Sequence, residues 1–175
     1  MTATTTSVTE AVDVDYPEVE VPTAAEPFLP AAWARIEAYT AFRTSARAVE
    51  FIVEGSGTWS APLRPFALGT AQKWNGTAWE TVTVAPSPYG YCLDSGTYKI
   101  NGTAGDDDAD VPPLIIEAMR RLAEYLAAEP GKAGVSSDTV TAGSVTISTT
   151  RSASWMAKAI DNSGAGDLLR TYRRA

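Results

Sequence analysis

VPPLIIEAMRRLAEYLAAEPG, residues 111–131, is the stretch whose reading decides the fold class. Pro112 and Pro113 stand where a helix tolerates proline, in a first turn whose N–H groups have no partner inside the helix, and Pro130-Gly131 closes the run. At ~100° per residue, Ile115, Met119, Leu122 and Leu126 fall within an arc of roughly 60°, while Glu117, Arg120, Arg121 and Glu124 gather on the opposite side. The sequence therefore predicts one main helix over 111–129 with a single stripe laid on a core and a charged face in solvent. Glu117 and Arg121 form a favourable i,i+4 pair, which contributes only ~0.3–0.5 kcal/mol at a surface.

Upstream of this helix the chain changes period. GDDDAD (105–110) has carboxylates at alternate positions but lacks the central glycine and the correctly placed glutamate of a calcium loop. It reads as a solvated loop whose last members complement the helix N-terminus. From Gly55 to Gly105 glycine, proline, threonine and aromatics dominate. Asn75-Gly76, between Trp74 and Trp79, predicts a tight hairpin with a cross-strand tryptophan pair, because both turn residues accept positive φ. Asp94-Ser95-Gly96 predicts a second turn between short strands. Val49, Phe51 and Val53 alternate with Glu50, Ile52 and Glu54, a strand pattern ending at Gly55. Together these predict a β-rich part over 48–104. Before it, Pro30 opens AAWARIEAYTAFR, a helix over 30–44 with Trp33, Ile36 and Tyr39/Thr40 at helical spacing as core. Residues 1–29 hold several prolines and threonines and the alternation Val12-Asp13-Val14-Asp15-Tyr16. They predict an extended acidic arm that orders as a strand added to a neighbour.

Downstream, 131–150 returns to Gly/Ser/Thr, with SVTIST alternating like a strand and the rest reading as loop. SASWMAKAI predicts a short helix, Asn162-Ser163-Gly164 breaks it, and DLLRTYRR predicts a last one. In that last helix Leu168, Leu169 and Tyr172 form a narrow apolar face ringed by Arg170, Arg173 and Arg174. Eight or so residues do not hold a helix alone in water, so this end must pack on something. The expected fold is α+β: a small helical core of two main helices plus short C-terminal helices over 151–175, an antiparallel β-hairpin subdomain and the N-terminal arm, with 30–175 as one domain.

Composition narrows the chemistry. Among 175 residues there is no histidine and one cysteine, Cys92. Ser-His-Asp and Cys-His nucleophile systems are impossible, and neither a histidine nor an all-thiolate zinc site can be built. The lone cysteine excludes an intramolecular disulfide and suits a reducing compartment. A carboxylate-based hydrolase would need two acidic side chains facing each other, and no spacing demands that. No enzyme activity, cofactor or metal site is expected. The opening MTATTTSVTEAV has neither a basic start nor a long apolar core, so no signal peptide is expected, and no apolar run approaches a membrane span. The net charge of −7 argues against binding through phosphate neutralisation. Its distribution is polar: residues 1–30 carry six acidic and no basic side chains, whereas 151–175 carry five basic against two acidic. Such ends suit partners that meet with opposite charges.

Five pieces occurring in order, WARIEAYTAFR (33–43), TWSAPLRP (58–65), PSPYGYCL (86–93), VPPLIIEAMRRLAEYL (111–126) and SGAGDLLRTYRR (163–174), resemble the head–tail adaptor, or connector, proteins of tailed bacteriophages. The nearest likeness is to those of alphaproteobacterial phages and gene transfer agents. The resemblance implies a ring of twelve copies in the virion neck, assembled in the host cytoplasm, that joins the portal protein to a stopper or tail-completion protein while DNA passes through without specific binding. It further implies that Trp155, Leu168, Leu169, Arg170, Tyr172, Arg173 and Arg174 meet the portal. In such a ring the charged face of Glu117, Arg120, Arg121 and Glu124 and the arm residues Val12, Val14 and Tyr16 are candidate inter-subunit surfaces. The alternative is a tail-associated carbohydrate- or receptor-binding module that uses exposed Trp59, Trp74 or Trp79.

Overall fold

The computed structural model describes residues 3–12, 14–128, 137–142, 145–150 and 157–173. The chain is α+β and divides into a sheet unit, the residues up to Pro17 with Ala41–Ala109, and a helical unit, Glu18–Thr40 with the chain from Asp110.

In the sheet unit the strands are β1 (Thr4–Glu10), β2 (Arg47–Trp59), β3 (Phe66–Trp74), β4 (Trp79–Val82), β5 (Ala85–Ser87) and β6 (Gly90–Ala104). They run antiparallel in the order β1-β2-β6-β3-β4, with β5 also on β6. β2 alternates as its sequence requires, Val49, Phe51 and Val53 inward, and β6 answers with Leu93, Tyr98 and Ile100. Burying each such side chain stabilises by ~1.5–3 kcal/mol. Aromatic rings close one end of this core. Phe51 lies edge-on to Trp59 at 5.5 Å and to Phe66 at 5.4 Å, the arrangement that ring quadrupoles favour.

Three expectations are corrected here. Asp94-Ser95-Gly96 makes no turn, and β2 does not stop at Gly55. Gly55 and Gly96 face each other across the ladder at φ +117° and +154°, and the register shifts just beyond them. Two glycines opposed in this way absorb a bulge, so both strands continue instead of folding back. The N-terminal segment, expected to pair with a neighbour, pairs with β2 of its own chain: Val8 lies opposite Phe51 and Glu10 opposite Val49. The strand is the threonine-rich TTTSVTE rather than the Val12–Tyr16 alternation, and β-branched residues suit the half-covered edge.

An ion pair fixes the end of β1. Arg43 donates from Nε to Glu10 Oε2 (2.6 Å) and from Nη2 to Oε1 (2.8 Å), and Arg47 lies 3.8 Å away. The hydrogen bonds from Arg43 hold the Glu10 carboxyl below its usual range, against the opposing effect of burial, with the charges of Arg43 and Arg47 assisting. Trp59 Nε1 donates to Thr5 Oγ1 at 2.9 Å, a second tie on the same strand.

The expected hairpin is present. Trp74 and Trp79 are cross-strand partners with ring centroids 5.3 Å apart. The loop spans residues 75–78 and is closed by Asn75, whose Oδ1 accepts from the amides of Thr77 and Ala78. In the loop after β6, Asp107 Oδ1 accepts from the Ala46 amide at 2.7 Å.

The helical unit is built on α1 (Leu29–Thr40) and α2 (Pro113–Ala127). On α2 the predicted stripe Ile115, Met119, Leu122 and Leu126 is buried, with Ala118 and Ala123 beside it, and α1 contributes Trp33 and Ile36. The alanines let the helices approach closely. α1 ends four residues short of its predicted end. Thr40 Oγ1 donates to the Ile36 carbonyl at 2.8 Å and Ala41 takes φ +57°, a conformation that costs an L-residue ~1 kcal/mol and stops helix growth. The residues beyond are committed elsewhere: the Arg43 amide bonds the Arg64 carbonyl, and its side chain holds Glu10. Residues read mostly as loop form a hairpin of β7 (Ser137–Ala142) and β8 (Val145–Thr150). Two four-residue helices, α3 (Ala159–Asn162) and α4 (Ala165–Leu168), and a 3₁₀ turn (Arg170–Tyr172) complete the unit.

Candidate functional site

The C-terminal end is two successive turns rather than one helix, and the break changes which side chains face outward. Ala165, Gly166 and Leu169 are buried, with Leu169 fully so. Leu169 is the root by which this end is held in its own unit. Leu168 and Tyr172 are half-buried, and Arg170 and Arg173 are exposed. Arg170 pairs with Asp167 at 2.9 Å, both fully in solvent's reach, where such a pair contributes little. Arg173 lies over the ring of Tyr39, with 5.3 Å from guanidinium carbon to centroid. Of the residues expected to meet a partner, Leu168, Arg170, Tyr172 and Arg173 are therefore at least partly accessible, while Leu169 is buried. Trp155 and Arg174 lie outside the described residues.

The charged face of α2 is a closed network. Glu117 accepts from Arg120 (2.9 Å) and Arg121 (2.7 Å), and Arg120 reaches on to Glu124 (2.9 Å). Hydrogen bonds from Arg121 and Arg120 hold the Glu117 carboxyl below its usual range, and the bonds to Glu117 raise Arg120. Arg120 and Glu124, with Val19, Val21 and Glu26, line a groove beside the 19–26 segment. The arm residues belong to the sheet unit. Val12 is 96% exposed, Val14 is half-buried, and Tyr16 receives the Arg47 guanidinium at 6.0 Å within the sheet unit.

Of the tryptophans expected to serve a binding platform, Trp59 is 2% exposed in the sheet core, whereas Trp74 is 40% exposed and tilted at 58° to Trp79, with Lys99 Nζ 4.9 Å over Trp79. A different feature escaped the sequence reading. Arg35, Ala38 and Tyr39 of α1 with Ala157, Ala159 and Ile160 line a pocket of about 450 Å³, and Arg35 Nη1 is buried, closed off from solvent, without a hydrogen-bond partner among the described residues. Arg173, which meets the Tyr39 ring, is not among the residues that line this pocket.

No protein-family model matches this chain, and no curated protein does. Among solved structures, it is similar to a chain of the neck of an empty GTA particle with C6 symmetry, at 20% identity over 64% of this chain and 71% of that one, TM-score 0.49. It is also similar to a chain of the neck of a native GTA particle with C12 symmetry, at 20% identity over 66% and 76%, TM-score 0.48.

Proposed function

We propose that this chain is a non-enzymatic head–tail adaptor of a tailed phage or gene-transfer-agent-like particle. Copies form a ring, twelve by the family resemblance, that joins the portal to a stopper or tail-completion protein and leaves a channel for DNA. The observation that carries the reading is the ordered set of five adaptor-like pieces from residue 33 to 174. Their apolar residues have structural work in this chain: Trp33 and Ile36, Trp59 and Leu63, Leu93, the α2 stripe and Leu169 are all core. The likeness thus falls on the scaffold, and the scaffold ends in a mounted basic tip. Leu168 and Tyr172 supply apolar contact and Arg170 and Arg173 charge, residue types that favour interface centres. The absence of histidine removes the commonest acid/base chemistry. An acidic body suits a conduit through which a polyanion slides without sticking.

The tip is tested with purified portal from the same particle. Leu168→Ala with Arg170→Glu and Arg173→Glu, which leave Leu169 in place, are expected to abolish capture of the chain by the portal while the circular dichroism spectrum and melting temperature stay near wild type. Unchanged capture would remove the tip from the portal contact. A wild-type chain that neither binds the portal nor appears as a ring in negative stain would overturn the adaptor reading itself.

A further inference from the structure

An open aromatic groove of about 660 Å³ lies in the sheet unit, running from buried Leu63 through half-buried Phe66 and Tyr91 to exposed Arg64, Pro86 and Tyr89. Tyr89 is 81% exposed, yet its backbone is held in place. Pro88 and Tyr89 form a two-residue turn between β5 and β6, with Ser87 paired to Gly90. Gly90, at φ +130°, passes so close to the Trp59 carbonyl that a side chain there would clash. A tyrosine fixed on a tight turn offers a large apolar face at little further cost in entropy, which suits an interface anchor. Arg64, beside it, has no ion pair among the described residues. Aromatic-lined grooves take proline rings, and an exposed guanidinium selects a carboxylate next to them.

The helical unit presents that combination in a single turn, residues 22–27. The Ala25 amide donates to the Pro22 carbonyl at 2.7 Å, and Ala25 is buried. Rooted by that one methyl group, the turn leaves Pro22, Thr23, Ala24, Glu26 and Pro27 all exposed. Two prolines stiffen it, small residues lie between them, and Glu26 has no ion pair among the described residues. Residues 1–30 contain no lysine or arginine, so no cation near in sequence repels an incoming guanidinium.

We infer that the 22–27 turn of one copy seats in the Tyr89 groove of the next, its prolines against the tyrosines and Glu26 against Arg64. The inference rests on the ring-forming role proposed above and supplies its contact. Turn and groove are different surfaces of one chain that match in charge and in residue type. A head-to-tail ring requires such a pair, whereas a two-fold dimer needs one self-complementary patch. The match favours a second copy over a foreign peptide as the occupant. Neither surface shares a residue with the C-terminal tip, so loss of this contact is distinguishable from loss of the portal contact.

Charge reversal in the full chain tests the contact. Glu26→Arg alone and Arg64→Glu alone are each expected to self-associate at least about tenfold more weakly than wild type in sedimentation velocity, because like charges then meet. Mixed in equal amounts the two variants should recover assembly, since every turn faces a groove of opposite charge, and the chain carrying both reversals should recover it as well. Tyr89→Ser, which removes the anchor and leaves the charges alone, is expected to weaken association by a similar factor. All three side chains are exposed, and melting temperatures near wild type would show that the variants fold. If the reversals assemble like wild type, or if mixing restores nothing, the inference fails while wild-type rings in negative stain keep the ring reading. If Arg64→Glu and Tyr89→Ser assemble normally but lose capture by a purified stopper protein, the groove belongs to that partner and the inference is equally overturned. A wild type that stays single at every concentration and on the portal removes both.

Discussion

The Glu10–Arg43 pair allows a prediction with both a size and a pH signature. Arg43→Ala would leave the Glu10 carboxylate at the sheet edge with Arg47, 3.8 Å away, as its remaining cation. Exposed ion pairs contribute ~0–1 kcal/mol, while breaking a fully buried one costs ~3–5 kcal/mol. The Arg43 side chain is 9% exposed and that of Glu10 27%, which puts the cost between those limits, at about 2 kcal/mol. Glu10→Gln supplies the pH test. The folded carboxyl titrates below its ordinary value, so its contribution is fully present above the unfolded pKa of ~4.3 and is lost as pH falls through the folded one. The stability difference between wild type and Glu10→Gln should therefore be constant near neutrality and shrink below about pH 4. Urea unfolding across pH measures the difference, and amide hydrogen exchange of β1 localises it, with Thr4–Glu10 exchanging faster in both variants. A Glu10→Gln difference that does not change between pH 7 and pH 3, or an Arg43→Ala cost under ~0.5 kcal/mol, would refute the reasoning.

Two further predictions concern the units separately. Leu169→Ala removes the fully buried root of the C-terminal end and is expected to destabilise the helical unit by ~2–5 kcal/mol, seen as a lower melting temperature and faster amide exchange around α4. Gly105→Ala is expected to destabilise the sheet unit, because Gly105 sits at φ +89° and a methyl there would run into the Ser45 carbonyl oxygen. A melting temperature equal to wild type would show that this loop moves aside at no cost.

The parts of the fold legible in the sequence are those whose information is local. The α2 stripe is fixed by a 3.6-residue period and punctuated by prolines, so Ile115, Met119, Leu122 and Leu126 could be placed before any partner was known. The inward set Val49, Phe51 and Val53 follows from period two in the same way. What was misread depends on residues distant in the chain. Asp94-Ser95-Gly96 has turn composition, yet Gly55 on the facing strand turns it into a bulge. Thr4–Glu10 has no apolar alternation, and its place follows from Arg43 and Arg47 meeting Glu10. The docking end was recognised from its composition, but Leu169 and Leu168 are adjacent and equally apolar. Only the break between α4 and the following turn sends one inward and the other out. Arg35 carried no signal, since an arginine on a helix normally reads as a solvated charge.

The pairing of β1 with β2 also has a consequence for the order of events during translation. Thr4 pairs with Glu54 and Glu10 with Val49, so the strand leaves the ribosome well before its template and must wait while all of α1 is synthesised. Closing so long a segment costs entropy before any contact is gained, and contacts of that kind form late. Its sequence tolerates the delay: TTTSVTE has one valine among hydroxyl-bearing residues and a carboxylate, too little apolar surface to stick to other nascent chains. Glu10 then acts as a latch, engaging once Arg43 and Arg47 have both emerged.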